Sequence, residues 1–384
     1  MSESMEFGAA EIELFRDSVK KFLQQEVEPY YNQWEKDEIV PRELWNKFGE
    51  NGFLCIDIPA EYGGIGAPFK LSCIVIEEVS RAGYGGLAGG LSIHSDIIAP
   101  YLLHLGSEEQ KQKWLPKMAT GEVVAALAMT EPAAGSDLQG MKTKAAPVAD
   151  GYRLSGQKTF ITNGQHADLV IVAAKTDTSA GSKGVTLFTL DTKKDGFARG
   201  QNLEKIGQHA ADTSELFFDE IALDESDVLA GVGAGFKHMM NELPRERLIL
   251  AVAAVTACEG MLDWTLQYVQ ERKAFGTTIG SFQNTRYKIA DLATQTKIMK
   301  VFVEDCKSKY EAGELDAVTA SQAKLAASEL QGKVADECLQ LFGGYGYMKE
   351  YPISRAFVDA RIQRIYGGTS EIMKEIIARD LLGR

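Results

Sequence analysis

Three stretches of this chain place small hydroxyls, glycines and aromatics at the ends of regular structure, where backbone amides are free to meet a ligand. Leu127-Ala128-Met129-Thr130-Glu131-Pro132-Ala133-Ala134-Gly135-Ser136-Asp137 reads as a strand running into a Pro/Gly loop. Lys158-Thr159-Phe160-Ile161-Thr162-Asn163-Gly164 reads as a strand carrying an aromatic and a threonine into a turn. Tyr366-Gly367-Gly368-Thr369-Ser370-Glu371 precedes a helix, with Thr369 or Ser370 as a plausible N-cap. Free amides and hydroxyls of this kind can hold the phosphates of a small ligand. Each stretch alone also reads as an ordinary turn, Asn163-Gly164 being a common hairpin pair. Other chemistries lack their residues. No Gly-x-Gly-x-x-Gly follows a strand, and there is no Walker loop and no Gly-x-Ser-x-Gly elbow. The histidines (His94, His104, His166, His209, His238) do not cluster and read as surface or packed imidazoles.

The elements that must position these stretches fall into three zones. Residues 1–121 are helical, with Ile12, Phe15, Val19, Phe22 and Leu23 recurring near 3.6 residues. Pro59, Gly63, Gly64 and Gly66 mark a loop there, and Gly85 to Gly90 a second break. Those later glycines either leave a deep cavity or permit close helix packing. Residues 122–234 change to short β-branched runs such as Leu169-Val170-Ile171-Val172 and Val185-Thr186-Leu187-Phe188-Thr189, separated by Asp150-Gly151 and Asp195-Gly196. They form a middle, barrel-like and mostly antiparallel β-domain. Residues 235–384 return to the helical period as a four-helix bundle. The fold class is therefore α+β, with helices, strands and helices in that order.

With 41 basic and 54 acidic residues the formal charge is −13, the wrong sign for nucleic acid or an anionic membrane as the main partner. The five cysteines have no Cys-x-x-Cys pair, which argues against a metal site and for a reducing compartment. Acids at Glu3, Glu6, Glu11 and Glu13 stand where a leader carries bases, so a cytoplasmic chain is expected. The apolar stretch Leu248 to Cys258 is shorter than the ~20 residues of a membrane span and reads as a buried helix.

Taken in order, the three stretches resemble the acyl-CoA dehydrogenase family. Pro59-Ala60-Glu61-Tyr62-Gly63-Gly64, Arg272-Lys273-Ala274-Phe275-Gly276 and Gln340-Leu341-Phe342-Gly343-Gly344-Tyr345-Gly346-Tyr347 extend the resemblance over essentially the whole chain. It implies FAD as cofactor, an acyl-CoA substrate, a homotetramer and an electron-transferring flavoprotein as electron acceptor. Leu127, Met129 and Thr130 would meet one edge of the flavin, and Phe160 and Thr162 the other. Ser136 would lie between flavin phosphate and CoA. Arg272, Phe275 and Gln283 would reach the FAD of a neighbouring subunit, with Gln340, Gly343 and Gly344 near its adenosine. Thr369 and Glu371 would belong to the cofactor side of the terminal segment, where Glu371 also reads as a complement to the helix dipole.

The family's reaction needs a carboxylate against the substrate α-carbon and donors on the thioester carbonyl. The resemblance gives the backbone amide of Gly367 as one such donor. Most members carry the catalytic glutamate immediately before the terminal Gly-Thr, and this chain has Gly367 there. Long-chain and isovaleryl-type members place it on the first helix of the last domain, before an arginine. Glu242-Leu243-Pro244-Arg245-Glu246-Arg247-Leu248 resembles that version, so Glu246 is the expected base. Helix geometry puts Leu243 and Met239 on its face as an apolar wall, and Met239, Leu243, Arg247 and Gly368 are expected to face substrate. On the residues alone, Glu246 between two arginines reads as a surface carboxylate. The resemblance thus implies α,β-dehydrogenation of medium-to-long acyl-CoA. An isovaleryl, branched or terpenoid acyl-CoA enzyme, or a non-catalytic acyl-CoA-binding relative, stands as the alternative.

Overall fold

The structure, a computed structural model, describes residues 7–383; Glu3 and Glu6 of the acidic N-terminus lie outside them. Among the described residues the N-terminal zone holds seven α-helices: α1 (Ala9–Phe22), α2 (Glu28–Asp37), α3 (Arg42–Glu50), α4 (Phe69–Arg81), α5 (Gly85–Leu91), α6 (Ala99–Leu105) and α7 (Glu108–Ala119). A π-helical segment, Ser92–Ile98, joins α5 to α6. The strands follow as β1 (Ala125–Ala128), β2 (Lys144–Val148), β3 (Gly151–Thr162), β4 (Leu169–Lys175), β5 (Val185–Asp191), β6 (Phe197–Asn202), β7 (Thr213–Leu223) and β8 (Val228–Leu229). The C-terminal zone contains α8 (Gly235–Glu271), a small hairpin of β9 (Lys273–Ala274) and β10 (Thr277–Thr278), α9 (Gln283–Glu311), α10 (Ala317–Phe342), α11 (Pro352–Ala360) and α12 (Ser370–Leu381). The helix, strand, helix order read from the sequence is the observed one.

The β-zone is one sheet in the order β6-β7-β3-β2-β4-β5-β8, with β1 pairing β4 in parallel. β2 meets β4 only where Lys144 lies opposite Lys175, so the ladder is nearly interrupted there. β4 explains why its run is apolar without alternation. Leu169, Ile171 and Ala173 face the large core shared with the helices, while Val170, Val172 and Ala174 face a second core on the other side. Burial on both faces selects a continuous apolar strand, and each such Ile or Leu contributes about 1.5–3 kcal/mol.

Gly85 to Gly90 is not a break but a helix. Close approach is the reason: a Cβ on Gly86 would lie 2.9 Å from the Ala211 amide nitrogen, and one on Gly90 2.9 Å from Asn163 Oδ1. Tertiary packing overrides the poor helix propensity of glycine. Gly89 differs, with only Gln208 Oε1 near, at 3.8 Å. Asn163, in turn, ends no hairpin: β3 pairs with β2 and β7, and the Asn163 amide donates to the carbonyls of Gly90 and Ala125 at 3.0 and 3.1 Å. That side chain ties the sheet to α5.

α8 is long and apolar enough, by length and composition, to cross a membrane, but 72% of its most apolar window is buried in the fold. It packs on α10, α4 and α9. Its apolar surface is therefore the wall against which the other elements assemble.

Candidate active site

The functional cavity opens where the end of β1, the bulge of β3, the first turns of α8, the π segment and the turn before α12 converge. It holds about 400 Å³. β1 and the two residues after it bring Leu127, Met129 and Thr130 to it, the loop beyond delivers Ser136, and β3 delivers Phe160 and Thr162. α8 contributes Leu243, Glu246 and Arg247, and the terminal turn contributes Gly367 and Gly368. Eleven residues expected from the sequence are thus brought to one cavity.

Several local interactions hold this arrangement. Lys158 is fully buried and donates to the Met129 carbonyl and to Glu131 Oε1, each at 2.8 Å. Glu131 in turn accepts from the backbone amides of Lys142 and Thr143. This network fixes the strand-to-loop transition that carries Thr130. Between Lys158 and Ile161 the pairing of β3 with β7 slips, and Phe160 takes φ +59° with its ring 67% exposed. A bulky residue at positive φ is strained, and here the bulge turns the ring towards the cavity instead of the core. A large apolar cavity edged by the Thr130, Ser136 and Thr162 hydroxyls, with an uncovered aromatic ring beside it, fits a flavin.

Glu246 is only 5% exposed. Burial pushes its carboxyl up to about 7, opposed by the Tyr101 hydrogen bond and the Arg247 charge and reinforced by Glu242. The Tyr101 hydroxyl donates to Glu246 Oε1 at 2.9 Å. The surface reading of this carboxylate is wrong because both flanking arginines are buried as well. Arg245 is held by Asp57, the Asp96 carbonyl and the Tyr310 hydroxyl, with its guanidinium over the Phe69 ring. Arg247 donates to Ser321 Oγ at 3.2 Å, and its Nε has no partner.

Gly367 and Gly368 take φ +60° and +94°. A Cβ on Gly367 would collide with Leu250 Cδ1, so a glutamate at this position would meet both backbone strain and Leu250. The Gly368 carbonyl accepts from Lys324 Nζ at 2.6 Å, and burial holds this lysine down at about 8.

Some expected residues lie elsewhere. Met239 is in the main core, and Met240 lines the cavity instead. α8 runs unbroken through Pro244, and the cavity is lined by Phe236, Met240, Leu243, Arg247 and Leu250, at steps of three and four on the strip beside the one Met239 occupies. Thr369 caps α12 by accepting from the Ile372 amide at 3.3 Å, and Glu371 is exposed in that first turn. Neither lines the cavity. Arg272, Gln340, Gly343 and Gly344 line a separate cavity of about 530 Å³, where the Arg272 guanidinium lies over the Tyr345 ring. Phe275 is 96% exposed, and Gln283 is exposed at the start of α9.

Tyr101, Leu250 and Lys324 were not singled out by sequence reasoning. Tyr101 is the one hydroxyl-bearing residue within the apolar run Ile97 to Leu105, but its partner lies 145 residues away. No local spacing could pair them.

Comparison with known proteins bears on the whole chain. The acyl-CoA dehydrogenase N-terminal, middle and C-terminal domain families match residues 9–122, 126–221 and 233–382. The long-chain specific acyl-CoA dehydrogenase, mitochondrial, of Rattus norvegicus is 47% identical over 97% of this chain and 87% of its own. The crystal structure of an acyl-CoA dehydrogenase from Geobacillus kaustophilus superposes with TM-score 0.95 at 45% identity, covering 98% of this chain and 100% of that one. A chain from a structure described as the electron transferring flavoprotein of Acidaminococcus fermentans gives TM-score 0.94 at 35% identity, covering 99% and 100%. With a buried carboxylate on α8 facing a flavin-sized cavity, and these relatives spanning its length, the chain belongs to the acyl-CoA dehydrogenase family of flavoproteins and performs FAD-dependent dehydrogenation of acyl-CoA.

Proposed function

We propose that Glu246 is the base that removes the α-proton of a medium-to-long-chain acyl-CoA, giving the trans-2-enoyl thioester. The burial of Glu246 at the cavity wall carries this reading. A carboxylate raised to about 7 is half ionised near neutral pH and basic enough to take a proton from a weak carbon acid. Tyr101 orients it, Leu243 and Leu250 exclude water beside it, and the Gly367 amide is the donor assigned to the thioester carbonyl. Bound FAD would supply the acceptor for the β-hydride. Leu127, Met129, Thr130, Phe160, Thr162 and Ser136 would hold its flavin and phosphate portions.

Arg272, Phe275, Gln283, Gln340, Gly343 and Gly344 are assigned to the FAD of a neighbouring subunit in a homotetramer. Their separation from the Glu246 cavity and the full exposure of Phe275 support that assignment. Thr369 and Glu371 then act on the cofactor side only through the α12 cap. Residues 1–121, 122–234 and 235–384 work as one catalytic unit, and electrons leave to an electron-transferring flavoprotein. The five free, buried cysteines agree with a reducing compartment, so a cytoplasmic site is retained in this proposal, whereas the rat relative is named as mitochondrial. Anaerobic titration of the yellow holoprotein with acyl-CoAs of graded length tests the reading. Bleaching that peaks with medium-to-long straight chains supports it, and bleaching confined to short branched chains overturns the chain-length assignment.

A further inference from the structure

Beyond Glu246 the same face of α8 continues as Leu250, Ala253, Ala257, Met261 and Trp264, at steps of three and four residues. This stripe leads from the Glu246 cavity into a second, smaller void of about 40 Å³. The two share Gly89, Ser92, Gln208, Leu250 and Tyr366 as walls, so they adjoin. Small residues keep the passage narrow but open: Gly89 and Ala88 on α5, and Ala253 and Ala257 on α8. Ala253 and Ala257 lie ~10 and ~16 Å along the helix from Glu246.

The far chamber, walled largely by small and apolar residues, also presents polar groups that a plain alkyl chain would leave unpaired. Four of its lining groups have a side-chain oxygen that is buried and without a partner: Ser80 Oγ, Gln331 Oε1, Asp359 Oδ2 and Gln363 Oε1. All four residues are at least nine-tenths buried. They come from α4, α10, α11 and the turn following α11, so no single local motif explains the convergence. Leaving one such group unpaired costs about 1–3 kcal/mol, and four around one small void mark a site built for a polar guest. Three of the four atoms are acceptors, so the guest must donate a hydrogen bond. Asp359 Oδ1 already accepts from the Gln208 backbone amide, and burial and the Glu35 charge raise this carboxyl to about 7 against the pull of Arg355 and Lys205. A buried carboxyl that is only partly ionised near neutral pH, with two cations already beside it, favours a neutral donor over an ammonium.

We propose that this chamber receives a hydroxyl carried on the distal part of the acyl chain, so that hydroxylated acyl-CoA thioesters are substrates. The proposal rests on the Glu246 reading, since it places the reacting carbons at the near end of the passage. A void of this size also holds water, and a chamber that binds only water would reject a hydroxylated chain no less than an alkyl one.

The test uses the FAD-loaded protein with straight-chain acyl-CoAs and their hydroxy counterparts of equal length, the hydroxyl moved stepwise along the distal half. At the matching position kcat/KM for the hydroxy substrate exceeds that for the plain chain by about tenfold. Gln331→Leu, with Gln363→Leu as a second variant should the first fail to fold, lowers that ratio by about tenfold. Plain chains active and every hydroxy substrate at least tenfold worse overturns the polar-tail proposal alone. Neither series reducing the flavin overturns the Glu246 reading and this one with it.

Discussion

The Tyr101 hydroxyl donates to Glu246 Oε1 at 2.9 Å, with both side chains buried. It joins the helix after the π segment to α8 and is the only side-chain donor to this carboxylate among the described residues. Burial raises the Glu246 pKa and the tyrosine hydrogen bond lowers it, so Tyr101 sets where the base becomes competent.

The first consequence is a pH profile. The carboxylate must be ionised to accept the α-proton, so kcat/KM falls below an apparent pKa near 7, about tenfold per pH unit. Tyr101→Phe removes a donor that favours the ionised form, and the acidic limb therefore moves upward. A hydrogen bond to a charged group is worth about 1.5–3 kcal/mol, which corresponds to about 1–2 pH units. Rates measured from pH 5 to 9 decide this; an unmoved limb in the variant refutes the tuning role.

Gly367→Ala should destabilise the terminal turn. The left-handed conformation costs an L-residue about 1–2 kcal/mol, and the added methyl meets Leu250. Thermal unfolding shows a lower Tm for the single variant. Combining it with Leu250→Ala removes the collision but keeps the backbone cost, so the double variant loses less than the sum of the two. Strict additivity contradicts the collision.

Lys158→Met strands Glu131 in the interior. Breaking a buried ion pair from one side costs about 3–5 kcal/mol, and the Met129 carbonyl loses its donor as well. The variant is expected to unfold at a much lower temperature and to bind FAD weakly. Adding Glu131→Leu removes the stranded charge and recovers part of the Tm; no recovery means that the pair is not what holds the loop.

Lys324→Met removes the donor on the Gly368 carbonyl. Gly367 and Gly368 then lose their anchor to α10, and the thioester carbonyl loses a fixed amide. KM and kcat are both expected to worsen, with a combined loss of about 10²-fold in kcat/KM, as for an imprecisely held oxyanion donor. Steady-state kinetics on one acyl-CoA suffice, and unchanged constants contradict the anchoring.

What the sequence made legible follows from the range of the interactions involved. β4 was readable because burial on two faces writes a continuous apolar run, and α1 because burial on one face writes a 3.6-residue period. The cavity residues of β1, β3 and the terminal turn were found because each sits in a local motif that, together with the others, carries the family resemblance. Gly85 to Gly90 misled, since the glycines satisfy close contacts with Ala211 and Asn163 that only the folded chain brings near. Met239 misled because the cavity faces the strip of α8 that carries Met240, Leu243 and Arg247, whereas Met239 turns into the core beside it. Tyr101 and Lys324 were missed for a third reason: their partners are distant in sequence, and neither residue type is unusual where it stands.

Glu246→Gln tests the central claim most directly. The amide keeps the size of the side chain and can still hydrogen-bond to Tyr101, but it cannot accept a proton. The account predicts that the purified variant stays yellow with FAD bound, while anaerobic bleaching by a long-chain acyl-CoA slows by about 10²–10⁴-fold or more. Bleaching at a near-normal rate would contradict it and assign the base elsewhere.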